Sequence, residues 1–94
     1  LHPAARAVFS ATLARVAGPS HLALVPKVTG SEDFSFFQRV VPGLFIFLGV
    51  TPETVDVGKA APNHSPRFFA DERHLVTGVR ALAHLACDFL EAAR

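Results

Sequence analysis

The sequence predicts an α/β unit, a partial three-layer α/β/α arrangement of about three helices and two strands, on three observations. Apolar residues recur at three- and four-residue steps near both ends of the chain, the period of a helix packed on one side. Between them residues 44–50 read Leu-Phe-Ile-Phe-Leu-Gly-Val without alternation, as a strand covered on both faces by helices does. The chain has 94 residues, 50% of them hydrophobic and 18% charged, which suits one small domain with a single core.

Pro3 fits a first helical turn, and Ala4, Ala7, Val8, Ala11 and Ala14 or Arg15 continue it, so a helix is expected over residues 3–17. Gly18 supplies a left-handed cap there and Pro19 has no amide hydrogen to carry the ladder on. Residues 22–28 are apolar and β-branched but contain Pro26, which restricts them to an edge strand or an extended connection. Ser31 is the expected N-cap of a short helix reaching about residue 40. Glu32 and Asp33 complement the dipole of its first turn, and Phe34, Phe37 and Val40 or Val41 form its stripe. Pro42 and Gly43 break that helix before the apolar run. Residues 51–70 show no sustained period and read as irregular chain, a length of loop that tends to be functional or disordered. Asp71 caps a long terminal helix in which Leu75, Val79, Leu82, Ala86 and Phe89 recur. A doubly covered strand needs a neighbour at each edge, and only one other candidate exists, so the chain looks like part of a larger sheet.

Charge and composition narrow the partners. The formal net charge is +1 with the five histidines neutral, and basic residues are scattered among acids, which excludes the clustered footprint of nucleic-acid binding. The longest apolar run is far short of the roughly 20 residues that cross a bilayer, so no membrane partner is expected. The single cysteine, Cys87, forms no internal disulfide and suits a reducing compartment, the cytoplasm by default; on its helix it is expected to be inert and partly buried. The sequence has no Met and begins with Leu1, so it is expected to be a processed product or a fragment. Nine Phe without Trp or Tyr are expected to pack in a core or against a missing partner.

Few residues suggest chemistry by themselves. His64 stands in the long loop near the C-terminal end of the apolar strand, where open α/β sheets place their sites; a loop histidine is more often solvated than a ligand. Zinc takes about four ligands, and no second one stands at a recognisable spacing from His64. His84, Cys87 and Asp88 share a helical face that could hold a metal or simply be the polar edge of an amphipathic helix. Glu32 and Asp33 are adjacent, diverge by about 100 degrees on a helix, and cannot act as a facing acid/base couple. Gly30 and Ser31 lead into a helix N-terminus whose amides suit an anion such as a substrate carboxylate, or form an ordinary turn and cap. No serine lies in a nucleophile elbow, and no catalytic residue is assigned.

Three blocks together carry a resemblance. They are Thr29-Gly30-Ser31-Glu32-Asp33-Phe34-Ser35-Phe36-Phe37, then Val41-Pro42-Gly43-Leu44-Phe45 through Leu48-Gly49, then Asn63-His64-Ser65-Pro66-Arg67-Phe68 with the closing helix. Over about residues 26–93 the chain resembles the C-terminal end of the metal-dependent amidohydrolases and peptidases that include hippurate hydrolase, N-acyl-amino-acid amidohydrolases, auxin-conjugate hydrolases and glutamate carboxypeptidase. The resemblance implies that residues 1–94 are a single unit, the C-terminal part of a zinc-peptidase-like catalytic domain, with the lid domain and N-terminal half absent. It implies that His64 is the last metal ligand of a two-metal site for zinc or a similar divalent ion. It places Gly30, Ser31, Glu32 and Asp33 near the active site, as substrate contacts or supports. In the complete enzymes a metal-activated water attacks the amide of an N-acyl amino acid or small peptide, and the general-base glutamate and other ligands lie outside this chain. Its partners would be that substrate and either the remainder of the catalytic domain or a second copy. The competing expectation is a non-catalytic interaction or self-associating fragment, whose Phe-rich surfaces dock on another chain.

Overall fold

The computed structural model describes residues 3–26 and 31–94. Among the described residues there are three α-helices, α1 (Pro3–Ala17), α2 (Phe34–Val40) and α3 (Leu75–Ala92), with short 3-10 turns at Pro19–His21, Val57–Lys59 and Glu72–His74. The helix expected over residues 3–17 is found with those bounds. At its end Gly18 adopts φ 88, a conformation open to glycine and strained for other residues, and its amide still donates to the Ala14 carbonyl at 2.9 Å. Asp71 caps the terminal helical stretch as expected, but through a 3-10 turn that runs directly into α3.

The expected α/β class is corrected: the described residues are helical and contain no strand. Residues 22–26 pair with nothing as a ladder, and residues 27–30, which include the end of that expected strand, lie outside the described residues. Residues 44–50 likewise form no ladder; among the described residues the one backbone bond from this run to a distant part of the sequence is Asp71 N–H to the Val50 carbonyl, 2.7 Å. The reason is physical. A helix satisfies its amides within itself, whereas a strand has no hydrogen-bonded identity without a neighbour at its edge. Apolar continuity alone does not supply that neighbour, and the expected cover on both faces is not found: Leu44 through Leu48 are all more than a third exposed.

Helices α1 and α3 pack against each other with opposite chain direction, since Phe9 meets Phe89, Thr12 meets Asp88 and Arg15 meets His84. Ring centroids of Phe9 and Phe89 lie 5.9 Å apart. A second cluster joins α2 to the apolar run, with Phe34 5.5 Å from Phe45 and Phe45 5.2 Å from Phe47 in edge contact. Gln38 Nε2 donates to the Gly43 carbonyl at 3.0 Å, holding the chain close where it leaves α2; a Cβ at Gly43 would sit 3.0 Å from Phe34 Cζ.

These contacts bury little. Among the described residues Ala81 is the one buried apolar residue, beside the polar Thr12 and Asp71. The accessible surface is 8060 Å². A self-contained globular protein of 10.1 kDa exposes about 5300 Å². The radius of gyration, 14.9 Å, likewise exceeds the roughly 12 Å of a compact domain of this length. Apolar side chains that the composition would assign to a core therefore stand on the surface, Phe47 at 66% and Val79 at 68% exposure among them.

Candidate functional site

His64 stands exposed in a turn of the long loop. Two successive turns hold its backbone: Ser65 N–H donates to the Pro62 carbonyl at 2.9 Å, and Phe68 N–H donates to the Ser65 carbonyl at 3.0 Å. The Ser65 hydroxyl accepts from Arg67 N–H at 3.1 Å, a local closure that serine side chains favour. The imidazole of His64 hydrogen-bonds to no other described residue, so both ring nitrogens remain open to solvent or a ligand. Among the described residues no group of three or more His, Cys, Asp and Glu is gathered closely enough to hold a metal ion. A zinc site takes about four ligands, and the described residues gather no such set around His64.

The second group of candidates lies at α2. Ser31 is not the N-cap; the helix begins two residues later, with Ser35 N–H donating to the Glu32 carbonyl and Phe36 N–H to the Asp33 carbonyl, so Asp33 takes the cap position. Asp33 makes no side-chain cap bond, and the Glu32 carboxylate instead accepts from Phe34 N–H at 3.3 Å. Ser31, Glu32 and Asp33, with Ser35 and Phe36, line an open hollow of about 420 Å³. Gly30 lies outside the described residues. No hydrogen bond joins this group to His64 among the described residues.

The base of the His64 loop is more tightly built. The Asp71 carboxylate, buried beneath the start of α3, accepts from Arg73 N–H at 3.0 Å and from Arg73 Nε at 3.0 Å, with Nη2 on its other oxygen. His74 Nε2 lies 3.8 Å away. The Arg73 side chain first, then its backbone amide, hold the Asp71 carboxyl at about 2, well below the ordinary carboxylate value. The sequence shows this residue only as a cap; an Asp two residues before an Arg carries no distinctive pattern.

A further polar cluster lies between α1 and α3. The Thr12 hydroxyl stands 2.9 Å from the Val8 carbonyl and 2.7 Å from Asp88 Oδ2; its single hydrogen bonds most strongly to the carboxylate. Arg15 Nη2 donates to Asp88 at 2.8 Å and lies 3.2 Å from His84 Nδ1. A guanidinium only donates, so in that contact His84 Nδ1 can only accept. The Thr12 hydroxyl and then Arg15 hold the Asp88 carboxyl below its usual range. These contacts use His84 and Asp88 within the helix pair, while Cys87, expected to be partly buried, is exposed. The helical polar edge is thus tied up structurally. No helix among the described residues is long and apolar enough to cross a membrane.

The chain is 37% identical over 73 residues to IAA-amino acid hydrolase ILR1-like 6 of Arabidopsis thaliana, covering 78% of this chain and 15% of that protein. It is 45% identical over 62 residues to thermostable carboxypeptidase 2 of Saccharolobus solfataricus, covering 66% and 15%. It is also 40% identical over 70 residues to putative glutamate--cysteine ligase 2-3 of Rhodococcus jostii, covering 74% of this chain and 8% of that one. The chain therefore spans a small fraction of the length of these curated relatives. No solved structure matches it. The profile of peptidase family M20/M25/M40 matches residues 2–88, nearly the whole sequence, and the chain belongs to that family.

Proposed function

We propose that this chain is the C-terminal portion of a metal-dependent amidohydrolase that cleaves the amide bond of N-acyl amino acids or small peptides, with His64 as one metal ligand. The supporting observation is the family match over residues 2–88 together with an exposed imidazole at the turn of its loop, uncommitted to any described partner. Relatives named as an amino-acid conjugate hydrolase and a carboxypeptidase favour an amide bond next to a carboxylate as the target. A divalent ion, zinc or similar, supplies a nucleophilic water and polarises the carbonyl when bound. The role of this chain is to present one neutral imidazole nitrogen from a loop braced by Ser65, the remaining ligands and the general base coming from outside it. Gly30, Ser31, Glu32 and Asp33 are proposed as substrate contacts or supports, the Glu32 and Asp33 side chains bordering the α2 hollow. The proposed compartment is the cytoplasm.

The test is zinc content after loading and hydrolysis of a panel of N-acyl amino acids, in the complete enzyme with His64 and with His64→Ala. Both are expected to fall sharply in the variant; unchanged metal and turnover would overturn the ligand assignment. The second reading, a non-catalytic or self-associating fragment, is favoured by the apolar side chains at residues 44–48, all more than a third exposed. Sedimentation with binding of an apolar dye separates the two, since a monodisperse monomer that binds no dye would count against association.

A further inference from the structure

We propose that Asp71 is a positioning residue for His64, a latch that closes the loop carrying the imidazole onto the end of the apolar run. The inference rests on the reading of His64 as a ligand and adds the residue that sets where that ligand stands. The loop leaves Val50 and returns at Asp71, and its ends are joined by the Asp71 N–H to Val50 carbonyl bond of 2.7 Å. Among the described residues this is the backbone bond that ties the His64 segment to distant chain; the two turns around Ser65 are local. An amide can donate there only while residue 71 keeps its extended cap conformation, φ −73 and ψ 107, at the point where the chain bends into the 3-10 turn. The carboxylate enforces that bend by accepting from the Arg73 amide and from two guanidinium nitrogens. Ordering a loop of this length costs conformational entropy, and fastening its ends is the direct way to restrict what its tip can sample. Asp71 is 7% exposed, and no step of the proposed hydrolysis uses it chemically.

Amide exchange by nuclear magnetic resonance and zinc affinity, both in the complete enzyme, test this with two readouts. In Asp71→Ala, exchange of the residue 71, Ser65 and Phe68 amides is expected to rise at least about tenfold, while α3 amides such as that of Leu85 keep their protection. Titration of the complete metal-depleted enzyme with Zn²⁺ is expected to show about tenfold weaker binding in the same variant, the scale on which residues that orient metal ligands act. Asp71→Asn retains an acceptor for the Arg73 amide and is expected to restore part of both. Unaltered exchange at Ser65 and Phe68 in Asp71→Ala would overturn the proposal. If α3 also loses protection in that variant, Asp71→Asn decides, with loop exchange raised over an intact α3 as support and wild-type exchange as refutation. The ligand reading fails separately, if His64→Ala leaves the Zn²⁺ affinity of the complete enzyme unchanged; the latch is then judged on amide exchange alone.

Discussion

Where α1 meets α3, a hydroxyl, a guanidinium, an imidazole and a carboxylate close on one another beside a pair of phenylalanine rings. Where residues 44–48 run, five large apolar side chains stay between 37 and 66% exposed and the backbone forms no ladder. The two regions are similarly apolar, so composition does not separate them. The difference is where the backbone bonds are made: each helix completes its own and needs only one covered face, whereas an extended run needs neighbours on its edges as well as its faces. The His64 loop hangs from the second kind of segment and is fastened to the first kind through Asp71. The geometry of the candidate ligand thus depends on a junction between a self-sufficient part of the chain and an unpartnered one.

Acid is expected to have the largest effect, because each region is anchored by a carboxylate with a lowered pKa. Such a group stabilises the fold fully above its ordinary value of 3.8, and the contribution is lost as pH falls through the folded value. For Asp71 the window runs from near 3.8 down to about 2, and Asp88 shifts in the same direction. Helical circular dichroism and exchange at the residue 71 amide should both decline in protection across that window. A helix signal and an amide that ignore it would show that neither ion pair matters to its region.

Phe9→Ala comes next and is aimed at the helix pair alone. Phe9 is half-buried, so the cost should be about 2 kcal/mol, below the 3–5 of a fully buried Phe, read by denaturant unfolding. Protection of the residue 71 amide should be retained under native conditions. Equal loosening of both regions would break the comparison, because it would make the loop a dependent of the helix interface. Thr12→Val removes one hydroxyl from the same interface and leaves Arg15 on Asp88, so about 1 kcal/mol is expected from the same measurement.

What the sequence reveals divides along the same line. The α1 bounds, the Asp71 cap and the periodic α3 are legible because helix signals are local: a proline in the first turn, a glycine past the last, an acid before the apolar period. The strand reading of residues 44–50 fails because it requires information about a neighbour that lies nowhere near it in sequence. Thr12 and Asp88 are 76 positions apart, and nothing in either local pattern pairs them. His64 is singled out as a candidate only by the resemblance of its motif block, since periodicity and spacing leave it an ordinary loop histidine. Ser31 misleads as a cap because three polar residues in succession, Ser31, Glu32 and Asp33, all suit that position, and packing of Phe34 on Phe45 favours a later start.

Gly78→Ala carries the smallest expected effect and the finest test of how the two regions touch. Gly78 lies within α3, where exchanging glycine for alanine gains up to about 1 kcal/mol of helix propensity. Against that, the added Cβ would fall 2.8 Å from Leu48 Cδ2, so the leucine must move. Leu48 is 40% exposed and the contact is with the end of its side chain, which has room to turn away. The two effects should nearly cancel, with thermal unfolding of the helix pair shifted slightly upward and the Leu48 methyl resonances clearly displaced. A loss above about 1 kcal/mol would mean that the apolar run is locked against α3, because only a leucine unable to rotate would make overpacking outweigh the helical gain. Retained stability with displaced methyl groups would place the freedom in the run itself and leave the Val50 to Asp71 bond as its fixed end.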